Sequence, residues 1–137
     1  MPSLFETFVA QWLEAHLDSR YALKKQQRAP LEGSDWLAFQ IDLVLSERHT
    51  GRVLAVLDTK YKYQDLPEEE DIQQVVAYAV RLGAPRAWLV YPSEEAPDFR
   101  IVVGQVEVRS LAFDLGSADL EAAGQGVLEK VCGLPGF

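Results

Sequence analysis

Asp58 and Lys60 stand two residues apart at the end of the apolar run Val53-Leu54-Ala55-Val56-Leu57, and Asp42 interrupts a second apolar run, Trp36 to Ser46. Alternate side chains of a strand share a face, so Asp58 and Lys60 project together and Thr59 projects the other way. Charge at the end of a buried strand is costly without a partner, so the pair implies either mutual ion pairing or a function. The polar stretch Glu47-Arg48-His49-Thr50-Gly51-Arg52 between the two runs reads as a hairpin turn. Antiparallel pairing about that turn would bring Asp42 near Asp58, gathering two carboxylates and one amine at one spot. The two acids repel each other unless a cation lies between them. Oxygen-only ligands of this kind suit Mg²⁺, which takes one or two carboxylates and keeps several waters. The plain alternative is an Asp58–Lys60–Asp42 ion network that closes one end of a sheet.

Positioning these residues requires two strands, about residues 36–46 and 52–60, and elements to cover both faces of the second, because its run is apolar without alternation. Residues 3 to about 18 carry an apolar stripe at helical spacing: Leu4, Phe5, Phe8, Val9, Trp12, Leu13 and Leu17. Ser3 and Glu6 have the spacing of a capping box, with Glu6 on the flank of the stripe, and His16 reads as a surface or edge residue. Tyr21 to Arg28 reads as a first strand and Ala29 to Ser34 as a loop. Pro67, the acids Glu68 to Asp71 and Gly83 bracket a helix over 68–82. Ile72, Val75, Val76, Ala79 and Val80 form its buried face. Gln74 and Tyr78, one turn apart, share a side. On their own they read as a surface glutamine and a half-buried aromatic. Arg86 to Tyr91 is an apolar strand that rejoins the sheet beside the hairpin by a crossover. Phe99–Val103 and Val106–Phe113 form a second hairpin turned at Gly104-Gln105, and Ala118–Val131 a last helix with Ser117 as its cap.

Asp42 followed by Asp58-Thr59-Lys60 resembles the Asp…(Asp/Glu)-x-Lys motif of the PD-(D/E)XK nuclease superfamily, with Ile41 where the motif's name has proline. Asp71-Ile72-Gln73-Gln74-Val75-Val76-Ala77-Tyr78 is similar to the Gln-x-x-x-Tyr helix of one large branch of these nucleases. Leu4-Phe5-Glu6-Thr7-Phe8-Val9, Ile41-Asp42-Leu43-Val44-Leu45, Asp58-Thr59-Lys60-Tyr61-Lys62, the 71–78 helix and Leu89-Val90-Tyr91-Pro92 follow in an order that resembles the catalytic domain of McrC. McrC is the nuclease subunit of the 5-methylcytosine-specific McrBC restriction system. The likeness covers roughly residues 3 to 92.

That resemblance implies an α/β, restriction-endonuclease-like core: a central mixed sheet of about five to six strands, flanked by an N-terminal helix and by a second helix after the catalytic hairpin. It implies Mg²⁺-dependent DNA hydrolysis, with Mn²⁺ able to substitute. Asp42, Asp58 and the backbone carbonyl of Thr59 would hold the metal, and Glu6 would complete its shell directly or through water. Lys60 would position or deprotonate the attacking water, and Gln74 and Tyr78 would orient Lys60 or hold the substrate phosphate. The implied partners are DNA and a GTPase or AAA+ motor on another chain, since no Walker motif is present; a homodimer is left open. Two other readings stand beside this one. One is a repair or recombination nuclease such as a junction resolvase. The other is a non-catalytic module that binds DNA or a partner on the same fold.

Composition narrows the rest. The 137 residues, 48% hydrophobic and 25% charged, suit one soluble globular domain spanning 1–137. No run reaches membrane-spanning length and the N-terminus lacks the pattern of a signal peptide, so the expectation is a cytoplasmic protein without membrane contact. Cys132 is the only cysteine, which excludes a disulfide and disfavours iron–sulfur nucleases. It reads as an inert small hydrophobe. A net charge of −8 lacks the basic footprint of a duplex binder, so weak DNA binding by this domain alone is expected.

Overall fold

A computed structural model describes residues 4–30, 38–60, 69–93, 98–116 and 118–132; the side chains of residues 26–30 and 38–42 lie outside that description. In chain order the elements are α1 (Leu4–His16), β1 (Tyr21–Pro30), β2 (Ala38–Glu47), β3 (Val53–Thr59), α2 (Glu69–Leu82), β4 (Arg86–Tyr91), β5 (Arg100–Val103), β6 (Val106–Ala112) and α3 (Leu120–Cys132). The strands form one mixed sheet in the order β1-β2-β3-β4-β6-β5. β1, β2 and β3 are mutually antiparallel, β3, β4 and β6 run parallel, and β5 returns antiparallel to β6. The expected mixed sheet, crossover through the second helix and second hairpin are all present.

The unalternated run in β3 is explained by cover on both faces. Ala55 and Leu57 join Leu43, Leu45, Trp88 and Val90 in a core under α1 and α3, with Phe5, Val9, Leu13 and Val127. Val56 joins Val44, Leu89, Tyr91 and Val108 in a second core under α2, with Val75, Tyr78 and Ala79. The β2–β3 turn is closed by Glu47 N–H donating to Arg52 O at 2.8 Å and Gly51 N–H donating to Glu47 O at 2.8 Å. α2 ends in a Schellman arrangement: Ala84 N–H reaches Ala79 O at 2.8 Å and Gly83 N–H reaches Val80 O at 3.2 Å. Gly83 takes φ 74° there, a conformation that only glycine adopts cheaply.

Several expectations need correction. Ala29 and Pro30 belong to β1, where Pro30 pairs with Ala38, rather than to a loop. A strand at the sheet edge tolerates a proline because no further ladder is interrupted. Leu4 is 86% exposed and Val80 66% exposed, so neither belongs to a buried stripe. Each stands beside a buried neighbour, Phe5 and Ala79 respectively, and faces away from the core that the neighbour enters. α3 starts at Leu120, and its cap is Asp119, whose Oδ1 accepts from Ala122 N–H at 3.1 Å. Ser117, like Ser3, Glu68 and the 31–34 loop, falls outside the described residues.

Candidate active site

β3 delivers the site. Asp58 is its penultimate residue and shares a strand face with Val56, the face that α2 covers. Its carboxylate is buried, with the whole residue 7% exposed. Lys60 follows the strand end, where its N–H donates to Val90 O at 2.8 Å and keeps the chain beside β4. Alternation therefore does what the sequence required of it: Lys60 Nζ lies 2.8 Å from Asp58 Oδ2.

The same ammonium lies 3.1 Å from Asp71 Oδ1, in the first turn of α2. Two carboxylates from separate elements thus converge on one positive charge. Burial acts to lower the Lys60 pKa, but the hydrogen bonds and charges of Asp58, then those of Asp71, outweigh it and hold the amine protonated well above the ordinary lysine range. Tyr91, at the end of β4 on the same face of the sheet, is pushed up to about 12 by burial and by the charge of Asp71, against the opposing charge of Lys60. Four residues from three elements and one strand end form a single electrostatic unit.

The sequence set Asp71 among the acids of a helix start, at the head of the Gln-x-x-x-Tyr-like segment, and Tyr91 at a strand end, with no role in the site for either. A signal for Asp71 existed: it stands three residues before Gln74 and seven before Tyr78, so the three share a helix face. Tyr78 is buried, 3% exposed, against the sheet, more deeply than half-buried; Gln74, one turn earlier, is exposed. Glu6 is buried on α1, 6% exposed, next to Phe5 and within the turn of Val9 and Ala10. It is therefore deeper than the flank of the stripe.

The side chain of Asp42 lies outside the described residues. Its backbone is in β2, and the antiparallel register runs through Val44–Val56 to Leu43–Leu57, which leaves 42 and 58 as the next positions of the two strands. Among the described residues no three His, Cys, Asp or Glu side chains converge on one point. A hard divalent cation nevertheless fits the chemistry that is described. Asp58, a buried carboxylate, already holds one cation, the Lys60 ammonium, and Mg²⁺ typically takes one or two carboxylates.

The two histidines are accounted for elsewhere. His16 stacks on Trp12 at 3.8 Å, its Nδ1 is 2.8 Å from Trp12 O, and its Nε2 is 3.1 Å from Glu121 Oε1, so it ties α1 to α3. His49 is exposed in the β2–β3 turn. Burial raises the Cys132 thiol to about 11, in keeping with an inert side chain. No described helix is long and apolar enough to cross a membrane.

One chain of the refined half-complex from the tetradecameric assembly of Thermococcus gammatolerans McrB AAA+ hexamers with bound McrC has the same fold. The TM-score is 0.73 at 19% identity, over 93% of this chain and 32% of that one. The present chain thus spans about a third of its length, and at that identity the likeness concerns the fold alone. No curated protein matches the sequence. The family model described as McrBC 5-methylcytosine restriction system component matches residues 1–92, the part that holds α1, the β2–β3 hairpin, α2 and β4. With two thirds of its length inside that match, the chain belongs to the McrBC 5-methylcytosine restriction system component family.

Proposed function

We propose that this chain is the nuclease domain of a restriction system, a metal-dependent DNA endonuclease that works with an AAA+ motor carried on another chain. The observation that carries the reading is the Lys60 ammonium held between buried Asp58 at the end of β3 and half-buried Asp71 in the first turn of α2. Asp58, Asp42 and the carbonyl of Thr59 would hold Mg²⁺, with Glu6 as a further acid. When bound, the metal polarises a phosphoryl oxygen and makes a bound water more acidic. Lys60 acts as a fixed positive charge toward the oxygen on which negative charge develops. With no cation on Asp58, the hydrogen bonds and charges of that acid and of Asp71 favour the charged form of the amine. Buried Tyr78 fixes the inner end of the α2 face, and Gln74, exposed one turn earlier, is free to meet a substrate phosphate. Membership of the family supports restriction, and the chain of similar fold comes from an assembly of McrB AAA+ hexamers with McrC, which supports a motor partner.

The competing reading is a structural ion cluster with no chemistry. Asp58→Ala separates the two. Mg²⁺-dependent cleavage of duplex DNA by the wild-type chain with its motor should fall to background in the variant, while circular dichroism and the thermal transition report a retained fold. Cleavage that persists in a clean preparation of Asp58→Ala removes the site assignment.

A further inference from the structure

Lys60 Nζ stands against the carboxylate that the proposed metal would need. The contact with Asp58 is 2.8 Å, and Asp58 is too buried for water to serve both cations freely. A divalent ion and an ammonium compete for one acid, and like charges at such separations repel strongly in a partly desolvated site. A metal on Asp58 therefore weakens the Asp58–Lys60 contact, by drawing on the same negative charge and by repelling the ammonium. Asp71 is already 3.1 Å from the same nitrogen. It belongs to α2, whose first turn favours a carboxylate through the helix dipole, and whose body is anchored by Val75, Tyr78 and Ala79 in the sheet core. The acid is thus built on a packed element and not on a loop.

From this geometry we propose that Asp71 is a positioning residue: it retains the Lys60 ammonium when a divalent cation takes Asp58, so that metal and ammonium occupy the site together. The inference rests on the metal-dependent reading above. Its consequence is a coupling between residues 71 and 60 in metal affinity. Without Asp71, Lys60 falls back on Asp58 alone and competes harder with the metal. Without Lys60 there is nothing for Asp71 to hold.

Mg²⁺ uptake by titration calorimetry, with no DNA present, tests this in the wild-type chain, Asp71→Asn, Lys60→Met and the double variant. Asp71→Asn should weaken Mg²⁺ binding by about tenfold, the scale of losing a residue that supports a metal site from outside its ligand shell. Lys60→Met should tighten it. In the Lys60→Met background the Asp71→Asn effect should shrink to less than about twofold, because the terms of a cycle add once the interaction is gone. Asp71→Glu, which keeps the charge, should restore most of the affinity and so exclude a folding defect. An equal loss from Asp71→Asn in both backgrounds would mean that Asp71 acts on the metal directly, and an unchanged wild-type background would mean that it does not act at all; either result overturns the inference while leaving the metal site intact. A wild-type chain that takes up no Mg²⁺ overturns the metal-dependent reading and this inference with it.

Discussion

An ammonium between two carboxylates and a phenol beside them give this site an alkaline signature. Both Lys60 and Tyr91 carry pKa values raised above their ordinary ones, Tyr91 from 10.0 to about 12. A raised value means that the folded chain holds the proton more tightly than the unfolded chain. The stability this contributes is complete below the ordinary value and drains away as pH rises through the folded one. For Tyr91 the window is pH 10 to about 12. Tyr91→Phe removes that contribution, so its urea midpoint should fall less steeply than that of the wild type across the same window. Equal slopes would show that Tyr91 titrates as a free phenol. At this scale the sequence was readable where a local rule applied: alternation along β3 put Lys60 beside Asp58. For Asp71 it showed only a helix face shared with Gln74 and Tyr78; the contact with Lys60 depends on where α2 docks, and docking is a tertiary event.

Among the elements, the contact of α1 with α3 carries the sharpest constraint. Gly124, in the middle of α3, lies against the Trp12 indole, and an added Cβ would overlap the benzo edge of that ring system. The indole has little room to yield: it stacks on His16 at 3.8 Å and meets Phe113 edge-on at 5.4 Å. Gly124→Ala should therefore destabilise the chain. Overpacking costs about 1–3 kcal/mol, against which alanine's helix propensity returns about 1 kcal/mol. Chemical denaturation should report a net loss, whereas Gly126→Ala, with open space around it, should be neutral or stabilising. A stabilised Gly124→Ala would mean that the helices sit farther apart. From sequence alone both glycines read as blemishes in a helix, since nothing local says which one faces a neighbour. The helix ends show the same limit. Leu4 and Val80 fit the periodicity but stay exposed beside buried Phe5 and Ala79, and Asp119 caps α3 because its side chain reaches a free N–H. The strands of the central hairpin, by contrast, were legible almost to the residue, because a run apolar on both faces has few places to go.

For the whole molecule the governing quantity is charge. A chain at −8 approaches another polyanion against long-range repulsion, and duplex affinity comes chiefly from phosphates neutralised by lysine and arginine. The carboxylates of the candidate site add to the repulsion until a divalent cation offsets them. Under the proposed function, the isolated chain should bind a labelled duplex no more tightly than about 1 µM at physiological salt, the range of non-specific contacts. Mg²⁺ should improve that binding in the wild type and not in Asp58→Ala, because only the former would gain a bound cation facing the phosphates. Adding the AAA+ partner should raise affinity and cleavage together, since the motor brings its own contacts and a high effective concentration of DNA. Fluorescence polarisation across a salt series, with and without the partner, measures the affinities, and gel analysis of the same duplex measures cleavage. Nanomolar binding by the isolated chain, with a steep salt slope, would point instead to a basic face sufficient for a nuclease acting alone, and the case for a separate motor would lose its physical basis.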